Sequence, residues 1–108
     1  MTPYSLKFLK PATSEWRALD SSIRNQIQRK LTKRLLNPHV PADLLSGELA
    51  GLYRLKFRKS GIRLIYQVID DQLLIIVIAI GKRANFDAYQ TAIVRLALLK
   101  GEDTEPLG

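Results

Sequence analysis

Between Gly51 and Tyr66 the chain reads Gly-Leu-Tyr-Arg-Leu-Lys-Phe-Arg-Lys-Ser-Gly-Ile-Arg-Leu-Ile-Tyr, with a cation at every second position from Arg54 to Arg58. Read as a strand, this spacing sends Tyr53, Leu55 and Phe57 to one face and Arg54, Lys56 and Arg58 to the other. Lys59-Ser60-Gly61 supplies a turn whose glycine is free to take positive φ, and residues 62 to 68 return as an antiparallel second strand. Arg63 on the returning strand can join the cationic row. A sheet face that carries three or four cations and no acid repels itself, so the pattern points to an anion held there.

Lys, Arg and Tyr suffice for one reaction, the cleavage of RNA by its own 2′-hydroxyl. That reaction consumes no water and requires no metal. The 2′-oxygen must be held in line with phosphorus, the charge on the phosphorane stabilised, and two protons moved. Several guanidinium and ammonium groups around one phosphate supply the stabilisation, most strongly in a partly dry cleft. A lysine among arginines has its pKa pushed down and can serve as general base, and an aromatic ring can stack a splayed base. The available groups are Arg54, Lys56, Arg58 and Arg63 on the hairpin, Arg83 after the longest apolar run, and Tyr89 beyond it. Arg58 reads equally as a solvated hairpin tip, and Tyr89 falls on the apolar stripe of a helix and reads equally as core. Spacing alone therefore supports an anion-binding sheet, suited to nucleic acid.

Other chemistries lack their parts. The one histidine, His39, lies among prolines in a loop and reads as a bystander, so neither a metal cluster nor a His-based triad can be assembled. There is no cysteine for disulfide or thiolate chemistry, which fits a reducing cytoplasm. Gly61 and Gly81 stand alone, with no phosphate-cradling glycine loop, and Asp70-Asp71 reads as a structural turn. No metal and no cofactor is expected.

The elements that must position these groups follow from periodicity. Tyr4, Leu6 and Phe8 alternate with polar residues as a first strand, and residues 12 to 18 form a short helix with Trp16 and Leu19 toward the core. Asp20 is a good N-cap for a second helix, in which Ile23, Ile27, Leu31 and Leu35 form the buried stripe and Asn37-Pro38 the stop. Its other faces carry Arg24, Arg29, Lys30, Lys33 and Arg34, either a solvated face or a second anion-binding surface. A loop with room for one helical turn near Asp43 leads to the hairpin. The apolar run from Leu73 to Ile80 has eight residues, far short of the roughly 20 that span a bilayer, and reads as a central strand covered on both faces. Gly81 ends it, Asn85 or Asp87 caps a last helix with Tyr89, Ala92, Ile93, Leu96 and Ala97 inward, and Gly101 closes that helix. This is an α+β fold of order β-α-α-β-β-β-α: a small, mostly antiparallel four-stranded sheet with helices packed on one face. Residues 1–100 are expected to form one domain and 101–108 a disordered acidic tail. The net charge of +7, from 17 Lys and Arg against 10 Asp and Glu, favours an anionic partner. No signal peptide or membrane span is visible, so a soluble cytoplasmic protein is expected.

Four segments together resemble the RelE family of bacterial toxins, within the RelE/ParE superfamily. They are Glu15-Trp16-Arg17, Tyr53-Arg54-Leu55-Lys56, Ser60 through Val68, and Gly81-Lys82-Arg83 with Tyr89 six residues on. The resemblance implies a RelE-like architecture of the microbial-RNase type and a ribosome-dependent, metal-independent endoribonuclease, an mRNA interferase that cuts in the A site and arrests growth. It implies Lys56 as general base or charge partner of the 2′-oxygen, Arg63 as stabiliser of the phosphorane, Arg83 in that role or as proton donor to the leaving oxygen, and Tyr89 as stacking platform. Arg54 stands where the family has a lysine. Arginine keeps the charge and grips phosphate with two bonds but does not readily give up a proton, so a clamp is implied there. Arg58, and on the second helix Arg29, Lys30 and Lys33, are implied RNA contacts. The implied partners are the 70S ribosome with mRNA, a RelB-like antitoxin, and operator DNA through the antitoxin complex. The rivals are a ParE-like gyrase poison on the same fold and a non-catalytic nucleic-acid-binding module.

Overall fold

The structure is a computed structural model that describes residues 2–82, 87–98 and 104–106. Strand β1 (Ser5–Leu9) runs straight into helix α1 (Lys10–Ala18), whose Pro11 sits in the first turn where no N–H is needed. Helix α2 (Ser21–Leu36) starts where the Asp20 carboxylate accepts from the Ile23 N–H at 3.0 Å, and it ends at Asn37. Ile27 and Leu31 of its stripe are fully buried. Short 3-10 turns at Pro41–Asp43 and Gly47–Leu49 carry the chain to β2 (Tyr53–Phe57) and β3 (Ile62–Ile69). Strand β4 (Leu74–Lys82) follows, then α3 (Asp87–Leu98) and a short β5 (Thr104–Pro106).

The sheet order is β2-β3-β4-β1-β5. All neighbours are antiparallel except β1 and β4, which run parallel from Ser5 opposite Leu74 to Phe8 opposite Val77. The expected class and element order are those of the structure, with three differences in detail. The first is β5: residues 104–106, assigned from sequence to a disordered tail, pair with Leu9 to Lys7 on the outer edge of β1 and add a fifth strand. Unpaired edge groups are satisfied by such a pairing.

The second concerns the helices. Phe57 has the Lys30 ammonium of α2 5.3 Å from its ring centre, whereas Arg54 donates to the Tyr89 hydroxyl of α3. These two β2 residues are three apart and point to opposite faces, so α2 and α3 cover opposite faces of the sheet. Helices on a single face are thus not what forms. The reason lies in β4, buried at every residue from Leu74 to Ile80, which needs apolar cover on both sides. The third is Leu73, expected to open that strand. It instead closes the Asp70–Gln72 turn in a left-handed conformation (φ 49°) and is 42 % exposed, and the strand extends through Gly81 and Lys82 opposite Arg63 and Ile62.

Tyr53 and Tyr66 are core and stack with ring centres 5.3 Å apart. The Tyr66 hydroxyl donates to the Pro38 carbonyl at 2.8 Å, tying the end of α2 to β3. Burial pushes the Tyr66 pKa far above its ordinary value of 10.0. Above that value an unfolded chain loses a proton that the folded one keeps, so this contribution to stability is complete below about pH 10 and declines as pH rises further. Tyr66→Phe is expected to flatten the alkaline limb of a urea-unfolding series and to cost about 1–3 kcal/mol at pH 7, because Pro38 loses its donor. Tyr53, also raised by burial, keeps part of the limb. No helix among the described residues is long and apolar enough to cross a membrane.

Candidate active site

The hairpin builds the site. Gly61, at φ 73°, lets its N–H return to the Phe57 carbonyl at 2.9 Å, and this turn sets the register that places Lys56 directly opposite Arg63. Directly opposed residues share a face, so Arg54, Lys56 and Arg63 stand together on the face that α3 adjoins. All three are half-buried. The turn closes at Phe57, so Arg58 lies outside the strand, exposed at the hairpin tip, and is not part of this row.

Arg54 extends Nη1 to the Tyr89 hydroxyl at 3.1 Å, which fixes the ring at the N-terminal end of α3 relative to the cations. The Nε of Arg54 and the Nη1 of Arg63 are buried from solvent and have no hydrogen-bond partner among the described residues. Unsatisfied guanidinium donors are costly, and a phosphate bringing several acceptor oxygens is the ligand that satisfies them. Arg83 lies outside the described residues.

On the other face an open groove of about 710 Å³ runs along α2, lined by Gln26, Arg29, Lys30, Lys33, Arg34 and Phe57. Arg29 and Lys33 are exposed there. Lys30 is not simply solvated: its ammonium donates to the Lys56 carbonyl on the open edge of β2 at 3.2 Å. Burial first, then the Arg34, Arg58 and Lys56 charges, hold its pKa below the ordinary lysine value. Arg34 is engaged by Asp43 at 3.0 Å, and Arg24 donates to the Leu19 and Arg17 carbonyls.

Two networks escape sequence reasoning. His39 is no bystander: Nε2 pairs with the Asp70 carboxylate at 2.6 Å and Nδ1 with the Tyr53 hydroxyl at 2.9 Å, and Tyr4 donates to the same Asp70 oxygen. These bonds, from Tyr4 first and then His39, lower the Asp70 pKa. The second joins Glu15 of α1 to Arg95 of α3 through two bonds of 2.9 and 3.0 Å. Its one sequence signal is the segment Glu15-Trp16-Arg17, which carries a resemblance but no role.

The model of the family described as ParE toxin of type II toxin-antitoxin system, parDE, matches residues 6–85. A RelE-like toxin protein of Escherichia coli is 46% identical over 93 residues, covering 86% of this chain and 97% of the relative. The mRNA interferase toxin RelE of the same species is 41% identical over the same coverage. Among solved structures, a doubly mutated E. coli toxin RelE in the free state superposes with TM-score 0.78 at 38% identity, covering 89% of this chain and 99% of that one. The toxin of the intact E. coli RelBE toxin-antitoxin complex gives 0.70 at 43% identity, covering 73% and 95%. The ParE model and the RelE relatives name two branches of one superfamily, and identity above 40% over nearly a whole relative is the sharper of the two likenesses. The chain belongs to the RelE family of toxins.

Proposed function

We propose that this protein is the toxin of a type II toxin-antitoxin module and a metal-independent endoribonuclease that cuts mRNA in the A site of the ribosome. The observation that carries the reading is the Lys56–Arg63 cross-strand pair, flanked by Arg54 and its bond to Tyr89, on a face with unsatisfied guanidinium donors. Lys56 takes the proton of the 2′-hydroxyl as that oxygen forms its bond to phosphorus. Arg63 and Arg54 stabilise the added charge on the phosphorane, and the P–O5′ bond then breaks. The 5′-oxygen leaves with a proton, a step for which Arg83 is the candidate, and a 2′,3′-cyclic phosphate remains. Tyr89, oriented by Arg54, stacks on a base of the codon. Arg29, Lys30, Lys33 and Arg58 contact ribosomal RNA outside the cleavage site.

A RelB-like antitoxin neutralises the toxin in the cytoplasm, and the pair represses its own operon through the antitoxin's hold on operator DNA. Support for such a partner comes from the E. coli relative, which has been solved in an intact RelBE toxin-antitoxin complex. The match of residues 6–85 to the ParE model favours a second reading, a gyrase poison on the same scaffold.

Primer extension separates the two. With a defined mRNA on programmed ribosomes, cuts within the A-site codon are expected, and none on the same RNA without ribosomes. Uncut mRNA with inhibited gyrase supercoiling would move the assignment to the ParE mechanism.

A further inference from the structure

We propose that Glu15 and Arg95, neither of which touches the cationic row, are positioning residues that set where α3 holds Tyr89 over it. The sheet is unfinished along one edge of β4. Strand β1 pairs with β4 only as far as Phe8 opposite Val77 and then turns into α1, while β4 runs on to Lys82. Past that point β4 keeps polar backbone groups on the β1 side with no strand among the described residues to meet them. Ile78 is moreover the extra residue of a bulge, since Ile65 pairs with Ala79 and Tyr66 with Val77. A side-chain pair takes the place of the missing strand. The Ile80 N–H donates to Glu15 Oε1 at 3.0 Å, Arg95 Nη1 donates to the Ile78 carbonyl at 2.8 Å, and the two side chains grip each other bidentately. Arg95 is 16% exposed and Glu15 29%, so the pair works in a partly desolvated setting.

One carboxylate thereby fixes α1, β4 and α3 together. Helix α3 has a second pin, the Arg54–Tyr89 bond at the β2 edge. The two pins lie on opposite flanks of the β2-β3-β4 array, so releasing one leaves that flank of the helix held by apolar packing alone and lets it shift about the other. Tyr89 sits on that helix, and β4 and α3 are also the elements that flank Arg83 in the chain. Displacement of a positioned group by about 1 Å can cost on the order of 100-fold in rate. The pair thus acts on the chemical step through geometry, without contacting RNA.

The inference rests on the nuclease reading, and the test keeps the two apart. Single-turnover cleavage is measured against ribosome concentration for the parent, Glu15→Ala, Arg95→Ala, the double variant and Glu15→Gln. Rates are divided by the folded fraction, taken from urea titration under the assay conditions. Each alanine variant is expected to lose roughly 10- to 100-fold in the saturated rate, with half-saturation unchanged within about twofold. The double variant is expected to fall no further than the singles, because each already breaks the same unit. Glu15→Gln, which keeps an acceptor for the Ile80 N–H, is expected to recover most of the rate. Parent-like saturated rates per folded molecule would overturn the positioning role while the nuclease reading stands, and so would a loss confined to half-saturation. A parent that cuts nothing on ribosomes would overturn both.

Discussion

Arg63→Ala is expected to slow A-site cleavage by about 100- to 1,000-fold, the range for losing one preorganised donor to a developing negative charge. The loss should appear in the saturated single-turnover rate, with ribosome binding changed far less, because the α2 face is untouched. Stability should move the other way. Arg63 stands directly opposite Lys56, and like charges across an antiparallel pair repel, so the variant is expected to unfold at equal or higher urea concentration. A site that gains stability when its catalytic cation is removed holds that cation for function. A rate loss under about tenfold would remove Arg63 from the phosphorus.

Lys56→Arg is the second large effect and the more discriminating. It preserves charge and the capacity to grip phosphate, but arginine does not readily give up a proton and so cannot take lysine's place as a base. Loss of general-base catalysis is expected to cost about 100- to 10,000-fold in the cleavage step, with the affinity for programmed ribosomes retained. The edge of β2 should be undisturbed, because Lys30 holds the backbone carbonyl of residue 56 and not its side chain. Cleavage within about threefold of the parent would show that position 56 contributes charge alone.

The cationic row can be read from sequence because its cause is local. Period-two alternation across Arg54 and Lys56 assigns a face, and the Ser60-Gly61 turn dictates which residue of the return strand stands opposite. Arg58 has the right parity, but the turn closes at Phe57, and alternation cannot say where a strand stops. Lys30 reads as one more cation of the α2 face, solvated or bound to RNA, and only the packing of α2 on the β2 edge shows its ammonium against a carbonyl and a ring. Counting potential metal ligands makes His39 a bystander, but such a count is blind to hydrogen bonding with Tyr53 and Asp70, which tertiary structure alone brings near. Glu15 and Arg95 are 80 positions apart, and no periodicity links an acid on one helix to a base on another. The β4 run, apolar on both faces, implies cover on both sides of the sheet, but a run by itself does not say which helix takes which side.

The parallel pairing of β1 with β4 also bears on how the chain is made. Ser5 finds its partner only at Leu74, so the first strand waits for most of the chain before its neighbour exists. Loops of this length close late and slowly, and high contact order of this kind lengthens folding. During synthesis the β2–β3 hairpin can form early, but the sheet that carries it and the α3 pins at Tyr89 and Arg95 assemble only after β4 and α3 have been made. Until those late residues have been made and packed, the cationic row has no sheet behind it and no Tyr89 held beside it.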